Sequence, residues 1–409
     1  MRGAVRESLQ GLQCALHRTT ELLAGELNRP TRNVPDWSAN EWAVAQAAAA
    51  IHGVAALLAA TLQWQGPPRW RQFLLEQKAH TAQRFLRMQR LLQLIDGRAR
   101  GQGIGLIALK GAALHAGGLY APGERPMSDV DLLVREEQAP RTVQLLAEFG
   151  FHESDRTWKH QVFERSGGHA PVALGEHYAN DLRIELHCSI RELLPLRSVD
   201  VSQVVFPQRM QGGLNAYPSK VAALLHVLLH AAGAMIHREL RLLHLIDIAR
   251  LSRTLTDEEW AQVLREGART AEGSLWWAFP PLSLAARYFS CVPQQVLDST
   301  ASDCHWLLKR VCRRRTLSEA SGSHLWISAF PGIEWSRTPR ELLAYAAARA
   351  APSTQDLQQR KLMAIAQPRI SGGAWAGLSQ GQRMLRWAVS RQARQETLAP
   401  VRAALDHAH

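Results

Sequence analysis

The stretch "RPMSDVDLLV" (Arg125–Val134) constrains the fold of this chain more than any other. Its second half alternates. Asp129, Asp131 and Leu133 fall on one side of an extended segment, and Val130, Leu132 and Val134 fall on the other. The apolar side requires a layer beneath it, while the opposite side presents two carboxylates close together. Like charges at that separation repel unless a cation stands between them. Magnesium suits the position, because it takes one or two carboxylates together with phosphate oxygens. A turn leading into a solvated sheet edge would also accommodate both acids, so their surroundings decide between the two readings.

Two neighbouring segments favour the metal. "LRIELHCSI" alternates as well, with Leu182, Ile184, Leu186 and Cys188 on one face and Arg183, Glu185 and His187 on the other. Paired beside the first strand, it would add Glu185 to the two aspartates, and three acids can hold two magnesium ions about 4 Å apart. Upstream, "LIALKGAAL" reads as a short buried strand running into Lys110-Gly111 and a helix. That turn gathers backbone N–H groups and one cation at a point, a geometry that receives phosphate. The GxxxxGK[ST] spacing of a P-loop is absent. Arg125 is a second candidate phosphate ligand.

The rest of the chain is helical. Residues 1–96 form an N-terminal helical region, in which "FLLEQKAHTAQRFLRMQRLLQLI" (Phe73–Ile95) carries apolar residues three and four apart. An α/β unit spans 97–215, and a C-terminal helical region spans 216–409, where "TDEEW" has the spacing of a capping box with Thr256 as N-cap and Glu259 at N3. The segment from Trp42 to Pro68 has no formal charge and is long enough to span a bilayer. It is mostly alanine, with Gln46, His52, Gly53 and Gln63 inside, and so reads as one buried helix and not as a membrane span.

The formal charge of +12 suits an acidic partner such as a nucleotide, RNA or anionic lipid. Much of it is arginine on helix faces, as in "KRVCRRR" (Lys309–Arg315), where solvation explains it equally well. Five scattered cysteines without a CxxC pair read as reduced thiols of a cytoplasmic protein. The charged N-terminus lacks the apolar stretch of a secretory signal. His226 and His230 have HxxxH spacing, but no glutamate follows His226, and packing explains them better than zinc. His187, His230, Arg241 and Asp247 are candidates to line a pocket, with an ion pair from Asp247 to Arg241 or Arg250 as the plainer account.

In order, "LKGAAL", "LYAPGERPMSDVDLLV", "EFGF", "IELH" and "LLHVLLHAA…LRLLHLIDIARL" make the chain resemble the bacterial uncharacterised nucleotidyltransferase family of the DNA polymerase β superfamily, over about residues 40–255. The resemblance implies an α+β, mostly helical protein with a polymerase-β-like core, a small mixed sheet with helices, between the two helical regions. It implies that Asp129, Asp131 and Glu185 hold magnesium (two ions, with manganese as the alternative) and carry catalysis. Lys110, Gly111 and Arg125 would meet the triphosphate of ATP or another NTP. The reaction implied is transfer of a nucleoside monophosphate to a hydroxyl or phosphate acceptor, which could be a small molecule, a peptide or protein, or RNA. Two departures stand out: Ala112 replaces the superfamily's serine after Gly111, and the third acid is glutamate where aspartate is usual. The alternative is a regulatory, antitoxin-like protein that binds nucleotide or RNA on the same fold with weak turnover. The sequence does not identify the acceptor, the oligomeric state or the role of residues 256–409.

Overall fold

Eight strands form where the period of two appears: β1 (Gly105–Ala108), β2 (Asp129–Val134), β3 (Phe151–Arg156), β4 (Gln161–Arg165), β5 (Arg183–His187), β6 (Arg191–Leu193), β7 (Ser198–Asp200) and β8 (Gly213–Asn215). These come from a computed structural model that describes residues 8–165, 174–271, 273–352 and 378–408. Ser371-Gly372-Gly373, a sequence that reads as a loop between C-terminal helices, lies outside the described residues. Six strands make one mixed sheet in the order β3-β4-β5-β2-β1-β8, and β6 and β7 form a separate hairpin. β2 runs parallel to β5 and antiparallel to β1. The protein is mostly helical, and the six-stranded sheet lies between N- and C-terminal helices.

The alternation read in β2 divides two cores. Val130, Leu132 and Val134 face one cluster with Ile184 and Leu186 of β5. That cluster is sealed by Met88, Leu91 and Ile95 of the helix Pro68–Gly101 and by Leu145 and Leu146 of the helix Ala139–Glu148. Each fully buried leucine, isoleucine or valine here contributes about 1.5–3 kcal/mol of transfer free energy. Leu133, on the other face, joins the larger core built around the helices Lys220–His237 and Leu242–Ser252. Asp129 and Asp131 share that face, but they stand at the end of β2 where the large core gives way to a cleft.

The uncharged segment 42–68 is two helices, not the single one expected: Ala39–Ile51 and Ala55–Thr61, bent by 110° at His52-Gly53. Gly53 takes a left-handed φ of +65° there. His52 is pulled out of the helix by the next layer, since its Nδ1 accepts the Leu242 N–H at 2.9 Å and its carbonyl accepts the Leu243 N–H at 3.3 Å. Among the described residues, one helix, Lys220–His237, is long and apolar enough to cross a membrane by length and composition, and the bent pair taken together as one span would make a second. Of the apolar window of Lys220–His237, 78% is buried inside the protein. The capping box at Thr256 is present: Thr256 accepts the Glu259 N–H, and the Glu259 carboxylate accepts the Thr256 N–H.

Candidate functional site

Parallel pairing of β2 and β5 sets Asp131 directly opposite Glu185 and Asp129 opposite Arg183. A strand period of two on both partners therefore brings three carboxylates to one face. Asp131 is buried, while Asp129 and Glu185 are half-buried. Burial, followed by the charges of Asp131 and Glu185, pushes the Asp129 carboxyl up to about 6. Burial acts on Asp131 in the same direction, but the Lys110 ammonium and the His187 ring outweigh it and hold that carboxyl well below the usual range. Lys110 Nζ donates to Asp131 Oδ1 at 2.6 Å, and His187 Nε2 lies 3.2 Å from the same oxygen. Burial alone would lower both bases, yet the acids around them keep Lys110 and His187 raised.

Lys110 reaches Asp131 from an unusual backbone. Its φ is +45°, a left-handed conformation that side-chain-bearing residues adopt rarely and at a cost. The Lys110 N–H donates to the Tyr217 hydroxyl at 3.2 Å, and that hydroxyl lies 2.6 Å from His226 Nδ1. Burial, followed by the charge of Lys110, pushes His226 down to about 3. The ring is therefore neutral, and its Nδ1 is free to accept a hydrogen bond from the tyrosine hydroxyl. The HxxxH pair is thus divided: His226 supports the Lys110 turn, and His230 packs edge-to-face on His244 with centroids 4.8 Å apart.

Gly111 is required by close approach. A Cβ at this position would stand 2.3 Å from Arg125 Nη1 and 2.7 Å from Met127 Cγ. Arg125 lies along the cleft wall, and three of its five N–H donors are already used. Nε and Nη2 grip Asp247 at 2.9 and 2.7 Å, and Nη1 donates to the Pro126 carbonyl at 3.2 Å. Tyr120 donates a further hydrogen bond to Asp247 at 2.6 Å. The partner of Asp247 is therefore Arg125, not the Arg241 or Arg250 expected from sequence spacing. Arg250 instead pairs with Glu124 and lies over the Tyr120 ring. This geometry weakens the expected role of Arg125 as a phosphate ligand, because a guanidinium with three of its five donors committed supports the turn beneath Gly111.

Support also comes from the long helix Pro68–Gly101. Its inward stripe carries three polar residues, Gln77, Thr81 and Arg84, between Leu74 and Met88. Arg84 donates to the carbonyls of Met127, Ser128 and Asn180, fixing the chain that enters β2 at Asp129. The Gln77 amide holds the backbone of Glu176 from both sides.

These elements enclose a cleft of about 1150 Å³. The three acids, Lys110, Gly111 and His187 form one wall, and His226, His230 and Arg241 lie on the helical wall. Asp247 is not part of the lining; it sits behind Arg125. Two groups in the cleft have metal-binding chemistry: the carboxylates Asp129, Asp131 and Glu185, and a trio of His160, Glu185 and His187. Sequence reasoning passed over His160, Tyr217 and Arg84. His160 sits in the turn before β4 and Tyr217 in the loop after β8, with no motif around either. Arg84 did leave a signal, as a polar interruption of an otherwise apolar stripe.

A model of the family described as an uncharacterised nucleotidyltransferase matches residues 38–285. The match begins at the N-cap of the helix Ala39–Ile51 and includes every residue of the cleft wall described above. It extends beyond the 40–255 suggested by the motifs alone. No curated protein and no solved structure matches the chain.

Proposed function

Because the chain belongs to this nucleotidyltransferase family, we propose that the cleft transfers a nucleoside monophosphate from an NTP to a hydroxyl or phosphate acceptor, releasing pyrophosphate, on a polymerase-β-like core. The observation that carries the reading is the register of β2 on β5, which sets Asp131 against Glu185 and leaves Asp129 on the same face. The donor set fits magnesium: three carboxylates share one face, and burial, followed by the charges of Asp131 and Glu185, pushes Asp129 up to about 6, which marks a place short of positive charge. Magnesium, when bound by Asp129, Asp131 and Glu185, supplies the charge that phosphoryl transfer requires.

The chain's own groups account for the rest. Lys110, on its left-handed turn, neutralises charge at the end of the cleft where the acids stand. Arg241 lines the opposite wall and is the candidate for the outer phosphates in place of Arg125. Glu185, half-buried and beside the His187 ring, is positioned to take the proton of an acceptor hydroxyl. His187 keeps Asp131 oriented through the 3.2 Å contact.

A specific observation favours a second reading. Lys110 already places a cation on Asp131, and Ala112 stands where the superfamily has serine. Both features suit a nucleotide-binding regulator with weak turnover. Incubation with each α-phosphate-labelled NTP, magnesium and a host extract separates the two. Transfer of label to an acceptor, lost in Asp129→Asn, supports the enzyme. NTP binding in calorimetry without transfer supports the regulator. Wild-type protein that binds no NTP in the presence of magnesium overturns both.

A further inference from the structure

The trio at the far end of the acid cluster has a different donor chemistry from the aspartates. His160 Nδ1 and His187 Nε2 each lie 3.6 Å from the same oxygen, Glu185 Oε2. His187 Nε2 is also 3.2 Å from Asp131 Oδ1. One ligand atom from each of His160, Glu185 and His187 falls within 4.8 Å of the other two. The two imidazoles meet edge-to-face with centroids 5.0 Å apart, so neither ring blocks the other's nitrogen. His160 Nδ1 is shielded from solvent and has no hydrogen-bond partner among the described residues. A buried nitrogen left without a partner is costly and calls for an explanation.

We propose that His160, Glu185 and His187 form a binding site for one divalent cation of the imidazole-preferring class, zinc above all, with Asp131 available as a fourth ligand. The spacing supports this directly. Bonds of ~2.0–2.1 Å from a tetrahedral zinc to nitrogen and oxygen place neighbouring ligand atoms ~3.3 Å apart. The donor separations of 3.6, 3.6 and 3.2 Å lie close to that edge. The donor type supports it too. Magnesium seeks oxygen and retains its waters, whereas imidazole nitrogen selects the later first-row ions. Two elements fix the three donors: β5 carries Glu185 and His187 two residues apart on one face, and pairing of β4 with β5 brings His160, the residue before β4, alongside. The site shares Glu185, and Asp131 where it serves as the fourth ligand, with the proposed magnesium centre, but it does not depend on nucleotide turnover.

The test therefore uses metal alone. Cobalt(II), a visible probe for zinc sites, is titrated into tag-free protein without nucleotide. Expected are one equivalent bound, a ligand-field absorption typical of four-coordinate nitrogen and oxygen donors, displacement by zinc, and no displacement by millimolar magnesium. His160→Ala and His160→Gln should each weaken cobalt binding by tenfold or more, given that even the outer partners of metal ligands are worth roughly 10–100-fold. His230→Ala, a cleft histidine outside the trio, should leave binding unchanged. Absence of the absorption, unchanged affinity in both His160 variants, or displacement by equimolar magnesium overturns the assignment. The His160 variants leave Asp129, Asp131 and Glu185 in place, and NTP binding with magnesium is read separately by calorimetry, so this site and the nucleotidyl-transfer reading can fail separately.

Discussion

Two buried cation–carboxylate pairs meet at Gly111 and are built in opposite ways. Arg125 and Asp247 form a two-point grip, backed by the Tyr120 hydroxyl and nearly closed to solvent. Lys110 and Asp131 touch at one point, at the wall of the cleft, with a lysine side chain that keeps 19% of its exposure. A planar guanidinium with its fork filled has little left to offer a ligand, whereas an ammonium on a flexible stem can exchange partners. The first pair holds the turn in place. The second holds a charge ready near the acids.

This contrast is broken most severely by two substitutions whose effects should fall on different measurements. Asp131→Asn is expected to lower nucleotidyl transfer by roughly 10³-fold or more, the scale of losing a preorganised electrostatic group, with a smaller loss of stability than Asp247→Ala, because Lys110 keeps access to solvent. Asp247→Ala leaves Arg125 buried and unpaired, which should cost about 3–5 kcal/mol in urea unfolding. If Asp247→Ala leaves stability unchanged, Arg125 is not committed to that grip and its candidacy for phosphate returns.

Sequence legibility follows the same division. Asp129, Asp131 and Glu185 could be read because a strand exposes every second residue, so two short alternating segments name their own faces. The register that sets Asp131 against Glu185 could be expected only conditionally, because pairing is decided by the hairpin of β3 and β4 lying between them in the chain. Lys110 was legible as a cation at a strand-to-helix turn. Its left-handed φ was not, because it depends on Tyr217, 107 residues away. The Arg125–Asp247 grip spans 122 residues, and nothing in the local pattern of either residue marks the other. His52 shows the same limit: an alanine-rich run hides a bend that a distant helix end imposes.

Gly111 connects the two pairs, and Gly111→Ala tests how tightly. The added methyl would press on Arg125 Nη1 and on Met127, both of which are buried. Overpacking of this kind costs about 1–3 kcal/mol. The same change should impair transfer beyond the stability loss, because displacing Arg125 also moves the turn that carries Lys110. A variant that is destabilised but fully active at low temperature would show that the turn and the grip are independent.

The smallest effect concerns the two aspartates themselves, which sit two residues apart and shift in opposite directions. Asp129 keeps its proton up to about pH 6 in the fold, whereas an unfolded aspartate releases it near ~3.9. Between those values the folded state binds more protons than the unfolded one, so stability declines as pH rises through that window. The penalty is complete at pH 7 and absent below ~3.9. A window of about two pH units caps it at roughly 3 kcal/mol, and sharing of the proton among the three acids reduces it further. Asp129→Asn removes the charge, and should therefore melt higher than wild type at pH 7, by roughly 2 °C, and equally at pH 3.5, while losing nucleotidyl transfer. Divalent metal should narrow the pH 7 difference by screening the wild-type acids. Equal melting of the two proteins at pH 7 without metal would mean that the three carboxylates are not crowded in solution, and the strongest structural argument for a cation between them would be lost.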